Sequence, residues 1–272
     1  MNFDQAVDHL VSSLTSLGVE HGDTLLVHSD TDILASLLPG ADTLECFRLL
    51  ETALTKSVGQ GGTILVPTFT YSFCHGRSFD PAKRNSATGL FTNYFRRREN
   101  SYRSHHPVFS FAAMGAKARE MTENVSESGF GIGSVFDRMM KIGGKIVCFN
   151  VRFQECCTFV HHIEEMHGVD YRYFKTFEGK MILDRIEQNV RAVNYVRDLD
   201  RDVNSDFDRF AELLENQKVL TSAPISGGKI LLYPCRETFE LGIAAIKEHP
   251  YFLLAAPPKG VASSTVAEEL RP

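Results

Sequence analysis

Apolar residues recur every three or four positions at the start of the chain, where Phe3, Ala6, Val7, Leu10, Val11, Leu14 and Leu17 fall on one face and Gly18 follows. That spacing predicts an amphipathic helix that stops at the glycine. The next run, Thr24 to His28 (TLLVH), is short and almost continuously apolar, as in a strand covered on both faces. Helical spacing returns over Asp42 to Val58, with Asp42 and Glu45 forming a capping-box pattern and Gly59 as the stop. Thr63 to Pro67 (TILVP) then repeats the buried-strand pattern. Strand, helix, strand predicts a right-handed crossover between parallel strands. Further on, Ser134 begins a short helix ending at Gly143, Lys145 to Val151 (KIVCFNV) reads as another buried strand, and a helix runs through Thr158 to His167.

Beyond about residue 180 the pattern changes. Arg191 to Arg197 alternates like a strand, and Val219 to Ile225 and Lys229 to Tyr233, joined through Ser226-Gly227-Gly228, read as a hairpin. Helices are expected near Asp206 to Asn216 and Glu237 to Lys247. No Gly/Ser/Pro-rich linker or charge block divides the chain, and there is no internal repeat. The expectation is therefore an α/β fold in a single domain, 1–262, with a mixed central sheet and helices on both faces. It has parallel βαβ units in the first half and antiparallel strands with a hairpin in the second. Residues 263–272 (SSTVAEELRP) are small and polar without packing periodicity, and are expected to form a flexible tail.

Composition narrows the partners. A length of 272 residues with 43% apolar content can build a sizeable core, and a formal net charge of -5 argues against a nucleic-acid surface, which usually needs a basic excess. The six cysteines are scattered without a CxxC spacing, so reduced, buried thiols are expected. No run of about 18 apolar residues occurs and the first residues carry no basic stretch, so the expected location is cytoplasmic, with no membrane partner. Homo-oligomer formation is compatible with this composition.

The densest chemistry lies in Cys157-Thr158-Phe159-Val160-His161-His162-Ile163-Glu164-Glu165-Met166-His167. At about 100° per residue, Phe159, Val160, Ile163 and Met166 share the apolar face, while His161, Glu164 and Glu165 share the opposite one. A carboxylate three or four residues from a histidine can orient the ring and raise its basicity, as a general base needs. The same pattern also describes a solvated helix face with i,i+3 pairing. A metal-dependent hydrolase built on His161, His162 and Glu164 is a further reading, weakened by the absence of HExxH and of paired CxxC. The doublet His105-His106 raises the same question, and neighbours on an extended segment point to opposite sides. Arg96-Arg97-Arg98 reads as a solvated helix end.

Several ordered motifs together resemble the aminoglycoside 3-N-acetyltransferase family of antibiotic N-acetyltransferases. They are Val27-His28-Ser29, Gly62 to Thr70 (GTILVPTFT), Phe79-Asp80-Pro81, Gly89-Leu90 with Phe95-Arg96, Arg103-Ser104-His105-His106-Pro107 with Ser110 to Ala113 and Gly115, Thr158-x-x-His161-x-x-Glu164, and Val196-Arg197-Asp198. The resemblance implies acyl-CoA-dependent N-acylation, with acetyl-CoA or another acyl-CoA as co-substrate, no metal, and a small-molecule amine as acceptor. It implies His161 as catalytic base with Glu164 beside it. It also implies acyl-CoA contacts at His28, Ser29, Thr68, Phe69, Thr70, Arg103, Ser104 and Ser110, with Arg103 as the phosphate-binding cation. Ser29, Thr68 and Thr70, just beyond strand ends, would supply hydroxyl donors to a developing oxyanion. Asp30, Tyr71, Asp80 and Glu165 are expected to meet the acceptor.

The pattern departs from drug-modifying members of that family. Only Tyr71 to Ser78 separate the TFT and DP motifs, where those members carry a longer insertion rich in proline and tryptophan. Their HSS reads His28-Ser29-Asp30 here, and their glutamate after Gly-Leu is replaced within Phe91-Thr92-Asn93. These changes point to an amino sugar, nucleotide-linked for instance, as acceptor, with a true aminoglycoside as the alternative.

Overall fold

The computed structural model describes residues 1–260; the tail expected at 263–272 lies outside the described residues. In chain order the elements are α1 (Phe3–Ser16), β1 (Thr24–Ser29), α2 (Leu34–Leu37), α3 (Thr43–Val58), β2 (Thr63–Pro67), a 3-10 turn (Ser72–His75), α4 (Leu90–Phe95), β3 (Tyr102–Arg103), β4 (Phe111–Gly115), α5 (Ala118–Thr122), α6 (Val135–Lys141) and β5 (Lys145–Phe149). There follow α7 (Phe153–Cys156), α8 (Val160–His167), β6 (Arg172–Leu183), β7 (Ile186–Arg197), α9 (Asp208–Asn216), β8 (Thr221–Ile225), β9 (Gly228–Pro234) and α10 (Cys235–Glu248).

Local chemistry explains most boundaries. The Asp42 side chain accepts from the Glu45 N–H while the Glu45 carboxylate accepts from the Asp42 N–H, so both donors at the head of α3 are satisfied. Ser134 caps α6 in the same way, accepting from the Asp137 N–H. Between β8 and β9, Ser226 and Gly227 have φ of 27° and 92°, so a two-residue turn sets the register Ile225↔Gly228.

The main sheet has the order β3-β4-β2-β1-β5-β9-β8. β1 lies at its centre, parallel to both β2 and β5, and the outer strands are antiparallel. Strand alternation divides the core into two layers. Leu25, Val27, Ile64 and Val66 join the layer under α1 and α3, whereas Leu26, Leu65, Ile146 and Cys148 join the one containing the buried residues of α6, α8 and α10. A side chain such as Leu10 or Leu14, fully sequestered in the α1–α3 layer, contributes about 1.5–3 kcal/mol. The expected mixed α/β architecture is therefore present.

β6 and β7 form a separate two-stranded sheet, longer than the strand expected at Arg191 to Arg197. It is held against the body by Phe79↔Met181 and Ser128↔Val193 bridges. Gly179 also lets the hairpin approach the 3-10 turn, since a Cβ there would lie 2.7 Å from the Phe73 ring. The cysteines are all free and, apart from the half-buried Cys74, buried. No helix among the described residues is long and apolar enough to cross a membrane.

Candidate active site

After β1 the chain turns to β2 on one side, and later enters β5 on the other. A crevice forms outside the carboxyl ends of strands at such a reversal. Here it is a cleft of about 670 Å³, lined by His28, Ser29 and Phe69 from the strand ends and by Asn194 to Arg197 of β7. His161, in the first turn of α8, faces it. The close packing of α8 on α10 fixes that helix: a Cβ on Gly242 would come within 2.8 Å of Ile163 Cδ1.

His161 Nδ1 lies 2.7 Å from Glu164 Oε2. An ionised carboxylate can only accept, so the imidazole carries its proton on Nδ1 and leaves Nε2 unprotonated toward the cleft. The His161 side chain retains 23% exposure and Glu164 none, so the histidine meets ligands and the carboxylate supports it from behind. Burial and the Arg172 guanidinium hold the His161 pKa below its ordinary value, although Glu164 pulls it upward. Burial pushes the Glu164 carboxyl up, but the His161 hydrogen bond and Arg172 outweigh it and keep the group ionised. The Arg172 Nε lies 2.7 Å from Glu164 Oε2 without hydrogen-bond alignment, and so acts as an ion-pair partner. The rings of Phe130 and Phe207 stand edge-on to the imidazole, at 5.2 and 6.0 Å between centroids.

The helix-face expectation needs two corrections. Glu164 is fully buried rather than on a solvated face, because Arg172 arrives from β6 to meet it. Met166 is 37% exposed rather than part of the apolar face. His162 is buried with Nδ1 against the Phe130 carbonyl. Among the described residues no three His, Cys, Asp or Glu side chains gather as metal ligands, so the hydrolase arrangement is not assembled.

Of the other residues singled out from sequence, His28, Ser29, Phe69 and Tyr71 line the cleft with His161. His28 Nε2 and Ser29 Oγ are buried without a partner. Burial lowers the His28 pKa to about 4, so the ring is neutral. Tyr71, half exposed, stands edge-on to Phe109.

Arg103, expected as a phosphate clamp, lies outside the cleft lining and braces the surrounding chain. Its Nε donates to Thr68 Oγ1 and Ser110 Oγ, both at 3.1 Å, its Nη1 to the carbonyls of Pro81 and Arg84, and its Nη2 to the Thr68 carbonyl. The same network occupies Thr68 and Ser110, whose hydroxyls are 3.0 Å apart. Thr70 Oγ1 donates to the Pro107 carbonyl and Ser104 Oγ accepts from the Phe111 N–H. Of the three expected hydroxyl donors, only Ser29 therefore belongs to the cleft lining and has a hydroxyl without a protein partner.

Asp30, Asp80 and Glu165 also lie outside the cleft lining. Asp30 accepts from the Asp32 N–H and Asn150 Nδ2, and Asp80 closes a turn by accepting from the Ala82 and Lys83 N–H groups. Glu165 accepts from Ser128 Oγ at 2.7 Å. His106 is buried, accepting from the Val108 and Phe109 N–H groups and meeting the Glu127 carbonyl, while His105 is exposed. Arg96 is buried against Asn93, Asn85 and the Ala82 carbonyl, contrary to its reading as a solvated helix end. Arg172, Asn194 and the cleft position of Arg197 carry no local sequence signal, because tertiary approach of the β6–β7 hairpin brings them there.

The sequence profile of the aminoglycoside 3-N-acetyltransferase family matches residues 26–247. Aminoglycoside N(3)-acetyltransferase VII of Streptomyces paromomycinus is 26% identical over 195 residues, covering 64% of this chain and 65% of its own length. Aminoglycoside N(3)-acetyltransferase IV of a Salmonella species is 30% identical over 174 residues, 63% of each chain. The matched region thus spans just under two thirds of these curated relatives. Among solved structures, aminoglycoside acetyltransferase AAC(3)-Xa superposes with a TM-score of 0.76 at 22% identity, over 89% of this chain and 93% of that one. AAC-IIIb in binary complex with CoASH gives 0.75 at 19% identity, over 93% and 98%. At these identities the superpositions establish a common fold. The matched profile settles the affiliation: the chain belongs to the aminoglycoside 3-N-acetyltransferase family.

Proposed function

We propose that the chain transfers an acetyl group from acetyl-CoA to an amine of an aminoglycoside, with His161 as general base. The observation that carries this reading is the His161–Glu164 hydrogen bond of 2.7 Å, which leaves Nε2 as the ring's free acceptor at the cleft. Family membership supports the acceptor class.

Acetyl-CoA supplies an activated thioester, whose C–S bond breaks as the amine nitrogen forms its bond to the carbonyl carbon. His161 Nε2 takes the proton that the nitrogen sheds, and the resulting imidazolium can return it to the departing sulfur to give the thiol. Glu164 holds the tautomer throughout and stabilises the imidazolium. Ser29 Oγ and neutral His28, unpartnered at the end of β1, are suited to donate to the carbonyl oxygen as negative charge develops there. Arg197, which donates to the Val203 carbonyl and pairs with no carboxylate among the described residues, is a candidate for CoA phosphates in place of Arg103.

A second reading, transfer to a less charged amino sugar, is favoured by the charge of the cleft. Glu155 is the carboxylate in its lining and is paired with Arg152, Arg172 is paired with Glu164, and Arg197 contributes a guanidinium without a carboxylate partner among the described residues. A polycation gains little there. Thiol release from acetyl-CoA against aminoglycosides, simple amino sugars and nucleotide-linked amino sugars separates the two. His161→Ala is expected to lower kcat by roughly a hundredfold or more with acetyl-CoA binding retained. An equal loss of acetyl-CoA binding would remove His161 from the base role.

A further inference from the structure

Asn194 is 4% exposed, lines the cleft, and has its Oδ1 shut from water without a partner. Its neighbours on the same strand face do not explain it: Ala192 is fully buried and Val196 is half-buried, so an aliphatic residue would suit position 194. A buried carboxamide that bonds to nothing inside the protein weakens the fold. Such a group is expected where a ligand completes it.

The strand bearing Asn194 is tied to the base. Arg172 Nη1 donates to the Tyr195 carbonyl at 3.2 Å while its Nε pairs with Glu164, so β7 is held beside the His161–Glu164 pair. The unpartnered His28 Nε2 and Ser29 Oγ belong to a different element of the cleft lining, the end of β1. A group bound by Asn194 therefore lies in the cleft that His161 lines, beside the strand tied to its Glu164 partner.

We propose that Asn194 is an acceptor-binding residue whose carboxamide grips an amine flanked by hydroxyls. A turn of the side chain brings the Oδ1 to the cleft, where it accepts from the amine or a neighbouring hydroxyl while Nδ2 donates to the adjacent oxygen. An amide accepts and donates in one plane, which suits the alternating nitrogen and oxygen substituents of an amino sugar. No net charge is needed, so this recognition fits the weakly charged cleft. The inference rests on the transfer reading for the identity of the nucleophile. The amides of the pantetheine arm of CoA offer similar chemistry, and the test separates the two ligands.

Sisomicin, glucosamine and acetyl-CoA are titrated separately into the wild-type protein, Asn194→Leu and Asn194→Ala, and thermal midpoints are recorded without ligand. Asn194→Leu is expected to lose at least about tenfold in affinity for the amine and to keep its acetyl-CoA affinity. Its midpoint should equal or exceed that of the wild type, an outcome that a structural role would not give. Where turnover is measurable, KM for the amine rises more than kcat falls. Unchanged amine affinity, an equal loss for acetyl-CoA, or a lower midpoint in both variants overturns the inference. So does a wild-type protein that binds acetyl-CoA but neither amine, a result that leaves transfer to another acceptor standing. Binding of both substrates without any transfer sinks the transfer reading instead, and the inference is then supported by the binding losses alone.

Discussion

Arg172 Nε lies 2.7 Å from Glu164 Oε2, with both side chains almost completely withdrawn from water. The carboxylate therefore answers to two partners, the imidazole that it orients and the guanidinium that keeps it ionised. Removing one member of such a pair leaves an uncompensated charge in the interior.

Glu164→Gln is expected to lower kcat by at least tenfold, because the amide no longer fixes the His161 tautomer or stabilises its charged form. The His161 pKa already lies below its ordinary value, so the wild-type acid limb of kcat/KM should fall below pH ~6.5. Glu164 raises that pKa and Arg172 lowers it, so the variant's acid limb moves to still lower pH. Its stability should drop by about 3–5 kcal/mol because Arg172 is left unpaired. Glu164→Gln combined with Arg172→Met should recover much of that loss without recovering turnover. Urea titrations and pH–rate profiles of the three proteins check this, and an acid limb that moves upward refutes the arrangement.

The central strands and the His161–Glu164 pair were legible in the sequence because both depend on short-range regularity. TLLVH, TILVP and KIVCF are continuous apolar runs, and TxxHxxE places both side chains within one helical turn. The β6–β7 hairpin was half missed for a physical reason. Its turn residues, Asp184 and Arg185, have φ of 49° and 69°, a conformation usually announced by Asn-Gly or Gly. Without that signal β6 had no visible partner, and Arg172 and Asn194 remained out of sight with it. The mutual bonding of Arg103, Thr68 and Ser110 was out of sight for another reason. A motif preserves residue types, but not whether their donors point into a cleft or into one another.

Arg103 yields a prediction opposite to the one its motif suggested. All three guanidinium nitrogens bond to protein oxygens, and burial lowers its pKa to about 9. Lysine cannot reproduce that planar fork. Arg103→Lys should therefore destabilise the protein by roughly 2–4 kcal/mol, by leaving several of these acceptors unsatisfied. At temperatures where the variant stays folded, KM for acetyl-CoA should change less than threefold. A large rise in that KM with unaltered melting would return Arg103 to the phosphate-binding role.

Acid sensitivity follows from the buried histidines. Burial lowers the pKa values of His106 and His28 to about 4, whereas each returns to about 6.5 in the unfolded chain. Between these values the unfolded state binds more protons, so stability is fully present above pH 6.5 and is lost as the pH falls toward 4. At about 1.4 kcal/mol for each pH unit, His106 alone removes on the order of 3 kcal/mol across that window. His106→Asn keeps an acceptor for the Val108 and Phe109 N–H groups but cannot titrate. At pH 7 it should be less stable than the wild type, having lost the contact with the Glu127 carbonyl. Its stability should then decline less steeply, so that the two curves converge as the pH approaches 4. Chemical denaturation of both proteins at half-unit steps reads this directly, and parallel curves would mean that His106 keeps its proton uptake in the folded state.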